Sequence, residues 1–375
     1  MELEFTSDQD ELRDSIRAVL AKESPVTLAR QVAETGKRPD ALWQTMCELG
    51  WPALTIPEQF GGIGLGMLEA GILAEELGRV IAPGPLLPTV TQFVPAVRAT
   101  ASAAQAERFL GSVAAGAITG SVAICEQGGS FDPVAVRSTA MVDGDEVVLA
   151  GEKRFVVEGD AVDEVVVVAR EPGTTGSDGI CAVVVPVESV RTTSVHAIDA
   201  TRRLAHVDLD GVRVPRDRLL GGDGSAALSL ACAIEEATVG LALEMVGTAQ
   251  TIFDVTLEYA KHREQFGVPI GSFQAIKHKF ADMMISLERA RSTCYFAALT
   301  IAEDDARRTS ATSVAKAAAG DCQRLLGREG IQIHGGIGYT WEHDMHLYVK
   351  RMKSGEALFG TTASHRARIA DLLGV

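Results

Sequence analysis

The chain has 375 residues, 46% of them hydrophobic, enough to build a real core across two or three domains. Its formal net charge of -15, with no basic tract, argues against nucleic acid and anionic membrane as partners. Six scattered cysteines form no C-x-x-C pair, and a chain this long needs no disulfide staples, so reduced thiols and a cytoplasmic setting are expected.

The N-terminal stretch MELEFTSDQDELRDSIRAVL is acidic and amphipathic. It lacks the basic start and apolar run of a signal peptide, and no stretch reaches the length of a membrane span. TSDQDELRDSIRAVLAKE predicts a helix capped by Thr6 or Ser7. RPDALWQTMCELGW and MLEAGILAEELGRV predict further helices around the Gly-rich loop PEQFGGIGLG, and the Pro-rich APGPLLPT breaks the pattern. Residues 1–119 therefore read as an N-terminal helical domain.

The texture changes near Ile118. GSVAICEQ, DEVVVVAR, GICAVVVPV and AHVDLDGVRVP are short, β-branched and punctuated by Gly, Asp and Pro, and VDGDEVVLAGEKRFV predicts successive hairpin strands. Residues 120–223 read as a β-barrel-like domain. From Gly224 three long helical segments follow, so residues 224–375 read as a C-terminal domain of four-helix-bundle type. Helices, then strands, then long helices make an α+β multidomain chain rather than an α/β alternation.

Three motifs carry possible chemistry, each beside a plain structural alternative. HREQFGVPIGSFQAIKH joins two helices: Arg263 ends one, Phe266-Gly267 turns the chain and Ser272 is placed to cap the next. An Arg at such a corner can fork onto a phosphate, or simply be solvated. QIHGGIGYT places Gln332 before Gly335, Gly336 and Gly338, whose bare backbone can approach a phosphate or merely end a helix. ICEQGGSFD leaves a strand through two glycines and could offer backbone donors to a flat ligand. None matches G-x-G-x-x-G after a strand, so a Rossmann site is not expected. His343 and His346 lack the partners of a metal site, and there is no nucleophile elbow.

Taken together these motifs resemble the acyl-CoA dehydrogenase family over nearly the whole chain. LGWPALTIPEQFGGIGLGMLEAGILAEELGR is similar to its N-terminal domain, and ICEQGGSFDPVAVRSTAMVDGDEVVLAGEKRFVVEG looks like its middle domain. YAKHREQFGVPIGSFQAIKHKFADM and IQIHGGIGYTWEH look like its C-terminal domain. The resemblance implies FAD held without a Rossmann fold, an acyl-CoA substrate, a role in fatty acid or lipid degradation, an electron-transferring flavoprotein or similar acceptor, and a homotetramer or heterotetramer. It implies that Arg263, Gln265, Phe266, Gln332, Gly335 and Gly336 hold the diphosphate and adenosine end of a neighbouring subunit's flavin, with further flavin contacts from Phe273, Gln274 and His334. It also implies contacts from Cys125, Ser130, Phe155, Val157 and Thr361, and substrate contacts from Ser130, Thr238 and Gly360.

The chain also departs from that pattern. The family's base usually precedes Gly-Thr near the C-terminus, and here Phe359 precedes Gly360-Thr361. The alternative base position on the first long C-terminal helix is Ala237. The family's Trp-(Ile/Val)-Thr reads Phe155-Val156-Val157, and its Gly-Ser-Asp loop is interrupted as Ser130-Phe131-Asp132. Glu244, two helical turns after Ala237, is a candidate replacement base or else a packing residue. Glu235 and Glu236 point about 100° or more away from Ala237 on a helix, and Glu356 lies three residues before Phe359. Two readings follow: an acyl-CoA dehydrogenase with a relocated base, or a half-site subunit that completes the flavin site of a base-bearing partner in an α2β2 assembly.

Overall fold

The computed structural model describes residues 4–222, 224 and 226–375. In chain order its helices begin with α1 (Ser7–Glu23), α2 (Val26–Thr35), α3 (Asp40–Glu48), α4 (Met67–Arg79), α5 (Leu86–Pro88), α6 (Val94–Thr100) and α7 (Ala103–Ala114). Strands β1 (Gly120–Ala123), β2 (Thr139–Asp143), β3 (Glu146–Ala150), β4 (Glu152–Val157) and β5 (Glu164–Arg170) follow. Next come β6 (Ile180–Pro186), β7 (Arg191–Ser194), β8 (Leu204–Asp208), β9 (Val212–Pro215) and β10 (Leu219–Leu220). The chain then forms α8 (Ala227–His262), β11 (Glu264–Gln265), β12 (Val268–Pro269), α9 (Gln274–Ala302), α10 (Arg308–His334), α11 (Met345–Ala357) and α12 (Thr362–Leu373). The helical, β and helical blocks occur in the order their composition predicts.

Packing divides the chain differently from composition. One compact unit joins Met1–Lys37, Met67–Pro83 and Thr238–Val375; the other joins Arg38–Gly66 and Gly84–Ala237. Segments of the first 119 residues thus enter both units, and α8 passes from one into the other.

In the helical unit α1 starts with a reciprocal cap: the Thr6 side chain accepts from Gln9 N and the Gln9 side chain accepts from the Thr6 backbone. Its Arg17 reaches Glu76 of α4 at 2.7 Å. Helix α4 lies hard against α8. A Cβ at Gly247 would sit 1.8 Å from the Glu75 carbonyl oxygen, and one at Gly78 would sit 2.0 Å from that of Glu244. Thr248 Oγ1 donates to the Gly78 carbonyl at 3.0 Å across the same seam. The small residues Gly247 and Thr248 of α8 therefore serve close helix packing. Glu75, buried on α4, accepts from Arg291 Nε at 3.0 Å and from Tyr295 OH at 2.7 Å, tying in α9. Ser272 does not cap α9 as its sequence position suggested. Phe273 is the N-cap residue, and Ser272 Oγ donates instead to the Pro269 carbonyl at 2.7 Å, closing its own turn.

In the other unit a seven-stranded sheet runs β10-β6-β5-β2-β3-β9, with β1 parallel to β5. Val165, Val167, Val183, Val185, Val147 and Leu149 build its core. β2 and β3 form the expected hairpin, Thr139 opposite Ala150. β4 does not continue it but joins a second sheet of order β4-β8-β7. Gly151 makes the break at φ 122°, where a Cβ would meet Ser138 Oγ at 2.5 Å, so only glycine allows the chain to swing away. β4 is itself irregular, its register against β8 shifting between Lys153 and Val156.

Candidate functional site

The helical unit presents two open corners. At the first, α8 ends with Arg263 N donating to the Tyr259 carbonyl at 2.8 Å, and Ile270 N donates back to the Arg263 carbonyl at 2.8 Å. Between them β11 and β12 form a hairpin with Gln265 opposite Val268. Its two turn residues, Phe266 at φ 55° and Gly267 at φ 79°, are both left-handed, as a tight two-residue hairpin demands. Phe266 bears that conformation at a cost of about 1–2 kcal/mol and is 93% exposed. Its ring meets Phe273 edge-on with centroids 6.3 Å apart. Arg263, Gln265 and Gln274 are exposed beside it, and the Arg263 guanidinium has no hydrogen-bond or ion-pair partner among the described residues.

At the second corner α10 ends at Gly335, which adopts φ 65° and ψ -141°. A Cβ at Gly335 or Gly336 would meet nothing within 4 Å, so the backbone there is open to close approach. Gln332 is exposed one turn earlier. His334, expected among the contacting residues, is only 3% exposed and lies beneath the turn. Its Nδ1 is 2.7 Å from the Gly330 carbonyl, and its ring stacks on Tyr259 at 4.4 Å. Tyr259 escaped the sequence reading. The only signal for it is its place four residues before Arg263, on the same helical face.

An open guanidinium, amide side chains and bare glycine backbone suit an anionic nucleotide.

The C-terminal segment is held rigidly around an apolar side chain. Phe359 is buried, has φ 54°, and its carbonyl lies 2.9 Å from His365 Nε2. Buried Lys316 of α10 donates to the Gly360 carbonyl at 2.7 Å and to those of Gly355 and Glu356 at 3.1 Å each. Thr361 caps α12, its Oγ1 accepting from Ser364 N at 3.2 Å. Glu356 is tied to Lys353 at 3.2 Å; burial alone would push its carboxyl up, but Lys353 and the Thr362 N–H hold it below the usual range.

On α8, Ala237 and Thr238 are buried. Glu244 is 2% exposed and its Oε1 accepts from Arg351 Nη1 at 3.0 Å, Arg351 being 4% exposed. The Arg351 Nη2 also donates to the Ile81 carbonyl at 3.1 Å. Glu235 is buried, and Glu236 pairs with Arg98 at 2.6 Å.

In the β-containing unit, Arg154 N donates to the Cys125 carbonyl at 2.7 Å, joining the end of β1 to β4. The Glu126 carboxylate gathers three donors: Arg137 N at 2.8 Å, Ser138 N at 2.9 Å and Lys153 Nζ at 2.6 Å. These bonds frame a cleft of about 570 Å³ lined by Ile124, Ser130, Arg137 and Gly151 among others. Ser130 is exposed; Phe155, at φ 55°, is 41% exposed with its ring 5.3 Å from His206. Cys125 and Val157 are buried, and burial pushes the Cys125 thiol up, with Lys153 opposing. Glu126 and Lys153 also escaped the sequence reading, because they pair across 27 residues.

Residues 6–117 match the sequence profile of the acyl-CoA dehydrogenase N-terminal domain, and residues 229–374 match that of the acyl-CoA dehydrogenase C-terminal domain. The chain is 33% identical over 344 residues to acyl-CoA dehydrogenase IpdE2 of Mycobacterium tuberculosis, covering 91% of this chain and 89% of that one. Among solved structures it is similar to one of the electron transferring flavoprotein of Acidaminococcus fermentans, at TM-score 0.92 and 27% identity over 100% of this chain and 99% of that one. It is also similar to the Tcur3481–Tcur3483 steroid ACAD, at TM-score 0.87 and 28% identity over 98% of each chain. No helix among the described residues is long and apolar enough to cross a membrane.

Proposed function

The chain belongs to the acyl-CoA dehydrogenase family, and from that premise we propose that it is the base-lacking chain of an assembly whose second, related chain carries the carboxylate. The family's reaction is FAD-dependent dehydrogenation of an acyl-CoA thioester. It needs a carboxylate to take the weakly acidic α-proton and hydrogen-bond donors to steady the charge that builds on the thioester oxygen. Bound FAD would supply the acceptor for the hydride that leaves the β-carbon. The open backbone at Gly335 and Gly336 and the unpartnered Arg263 fit the phosphate-bearing half of FAD. Arg263, Gln265 and Gln332 would hold that half, with Phe266 and Phe273 covering it.

One observation carries the reading. Both positions where the family keeps its base are apolar, Phe359 and Ala237, and the candidate replacement, Glu244, is already spent on Arg351. A buried carboxylate bound to a buried guanidinium cannot leave its partner without stranding a charge. We infer that the proton is taken by another chain. The paired name of the similar steroid ACAD supports an assembly of two different chains, and the similar flavoprotein structure supports a flavoprotein as electron acceptor.

The test is an anaerobic titration with straight-chain and steroid acyl-CoAs, followed by flavin absorbance, of the chain alone and co-expressed with a base-bearing relative. Bleaching only in the co-expressed assembly is expected. A chain that alone holds about one flavin and is bleached by an acyl-CoA would overturn the proposal.

A further inference from the structure

We propose that Tyr259 and His334 are positioning residues that set the distance between the Arg263 corner and the Gly335–Gly336 turn, so that both engage one nucleotide at once. This rests on the flavin reading above. The two corners close two different helices, α8 and α10, and no local turn links them. What links them is the Tyr259–His334 contact, made across 75 positions of sequence. The rings stack at 4.4 Å with their planes 22° apart, and Tyr259 OH donates to the His334 carbonyl at 3.4 Å. That carbonyl belongs to the peptide unit leading into Gly335. On the other side, the Tyr259 carbonyl accepts from Arg263 N at 2.8 Å. One side chain therefore bears on the peptide before the glycine pair, while its own backbone fixes the start of the Arg corner.

The histidine is itself locked. For Nδ1 to lie 2.7 Å from the Gly330 carbonyl it must carry the proton and donate, which fixes the ring orientation. Nε2 is buried and has no hydrogen-bond partner among the described residues. His343 closes the third side edge-on at 4.8 Å. Burial pushes His334 below its ordinary value, the Gly330 carbonyl opposing less strongly, so the ring is neutral near pH 7 and no charge disturbs the stack. The helices come close enough for this because position 330 has no side chain: a Cβ there would sit 2.8 Å from Ile252 Cγ2. Binding groups on separate elements work together only when their support holds them to within a fraction of an ångström, so the strut acts on affinity without touching the ligand.

The experiment uses the co-expressed assembly, stripped of flavin and titrated with FAD, with ADP as competitor for the phosphate-bearing half. Tyr259→Leu and His334→Leu are compared with wild type and with Tyr259→Phe, which keeps the stack. Both Leu variants should weaken FAD and ADP binding by about tenfold or more, and Tyr259→Phe, which loses only the long hydroxyl bond, should weaken it by about threefold or less. The visible bands of the flavin that does bind should not move, because its ring is held by other residues. Should His334→Leu fail to fold, the contrast between Tyr259→Leu and Tyr259→Phe decides alone. Leu variants that bind FAD and ADP as wild type does overturn the strut and leave the flavin reading standing. A wild-type assembly that binds FAD but not ADP overturns the strut as well, and one that binds neither overturns both.

Discussion

Glu244 and Arg351 meet at 3.0 Å in the interior of the helical unit, the carboxylate from α8 and the guanidinium from α11. Arg351 also holds the Ile81 carbonyl just beyond α4, so one buried pair ties together three segments far apart in sequence. Glu244→Gln should therefore lower stability while flavin reduction by acyl-CoA in the proposed two-chain assembly stays within about twofold of wild type. Arg351→Met, which strands a buried carboxylate, should cost about 3–5 kcal/mol. Denaturant melts and stopped-flow bleaching check the two halves. Lost bleaching at unchanged stability would make Glu244 the base after all.

The seam between α4 and α8 leaves no room for a methyl group. Gly247→Ala would drive a Cβ to 1.8 Å from the Glu75 carbonyl oxygen, a backbone atom that cannot rotate aside. A loss of about 1–3 kcal/mol or more is expected, although alanine favours helices over glycine. A thermal melt at or above the wild-type midpoint would refute that packing.

His365 makes stability depend on pH. Burial pushes it down to about 4 from an ordinary 6.5, with Lys316 and Arg368 adding to the fall and its bond to the Phe359 carbonyl opposing it. Its folded value lies below its unfolded one, so between pH 6.5 and 4 the unfolded chain binds the extra proton. Stability from this group is whole above about pH 6.5 and is lost as pH falls towards 4, by up to on the order of 3 kcal/mol. His365→Gln, which can still donate to the Phe359 carbonyl, should be less sensitive to acid over that window. Parallel melting curves for the two proteins would count against it.

Lys153, fully buried, pairs with Glu126, which lines the cleft of the β-containing unit. Lys153→Met alone leaves a carboxylate short of its strongest donor and should cost about 3–5 kcal/mol. Adding Glu126→Gln should recover part of that loss, because the double variant strands no charge. Faster hydrogen exchange at the Arg137 and Ser138 amides in Lys153→Met would report the loosened loop directly. If the two losses simply add, the pair is not coupled.

The sequence by itself determined the order of helical, β and helical blocks, the long helices and the two open corners around Arg263 and Gly335. These rest on short-range signals: apolar spacing along a helix, β-branched runs, and glycines where the backbone must be left-handed or bare. It also marked Phe359 and Ala237 as unable to take a proton, since that depends only on residue type. Tertiary structure alone decided what Glu244 does. Its place two turns from Ala237 was legible, but Arg351, more than a hundred residues later, was not. The same holds for His334, which shares a motif with exposed Gln332 and Gly335 yet faces inward, because Tyr259 arrives from another helix to cover it. Likewise β4 left its hairpin for β8, and the compact units cut across the first helical block. A side chain's partner is set by which distant segments pack beside it, and local pattern carries no record of that.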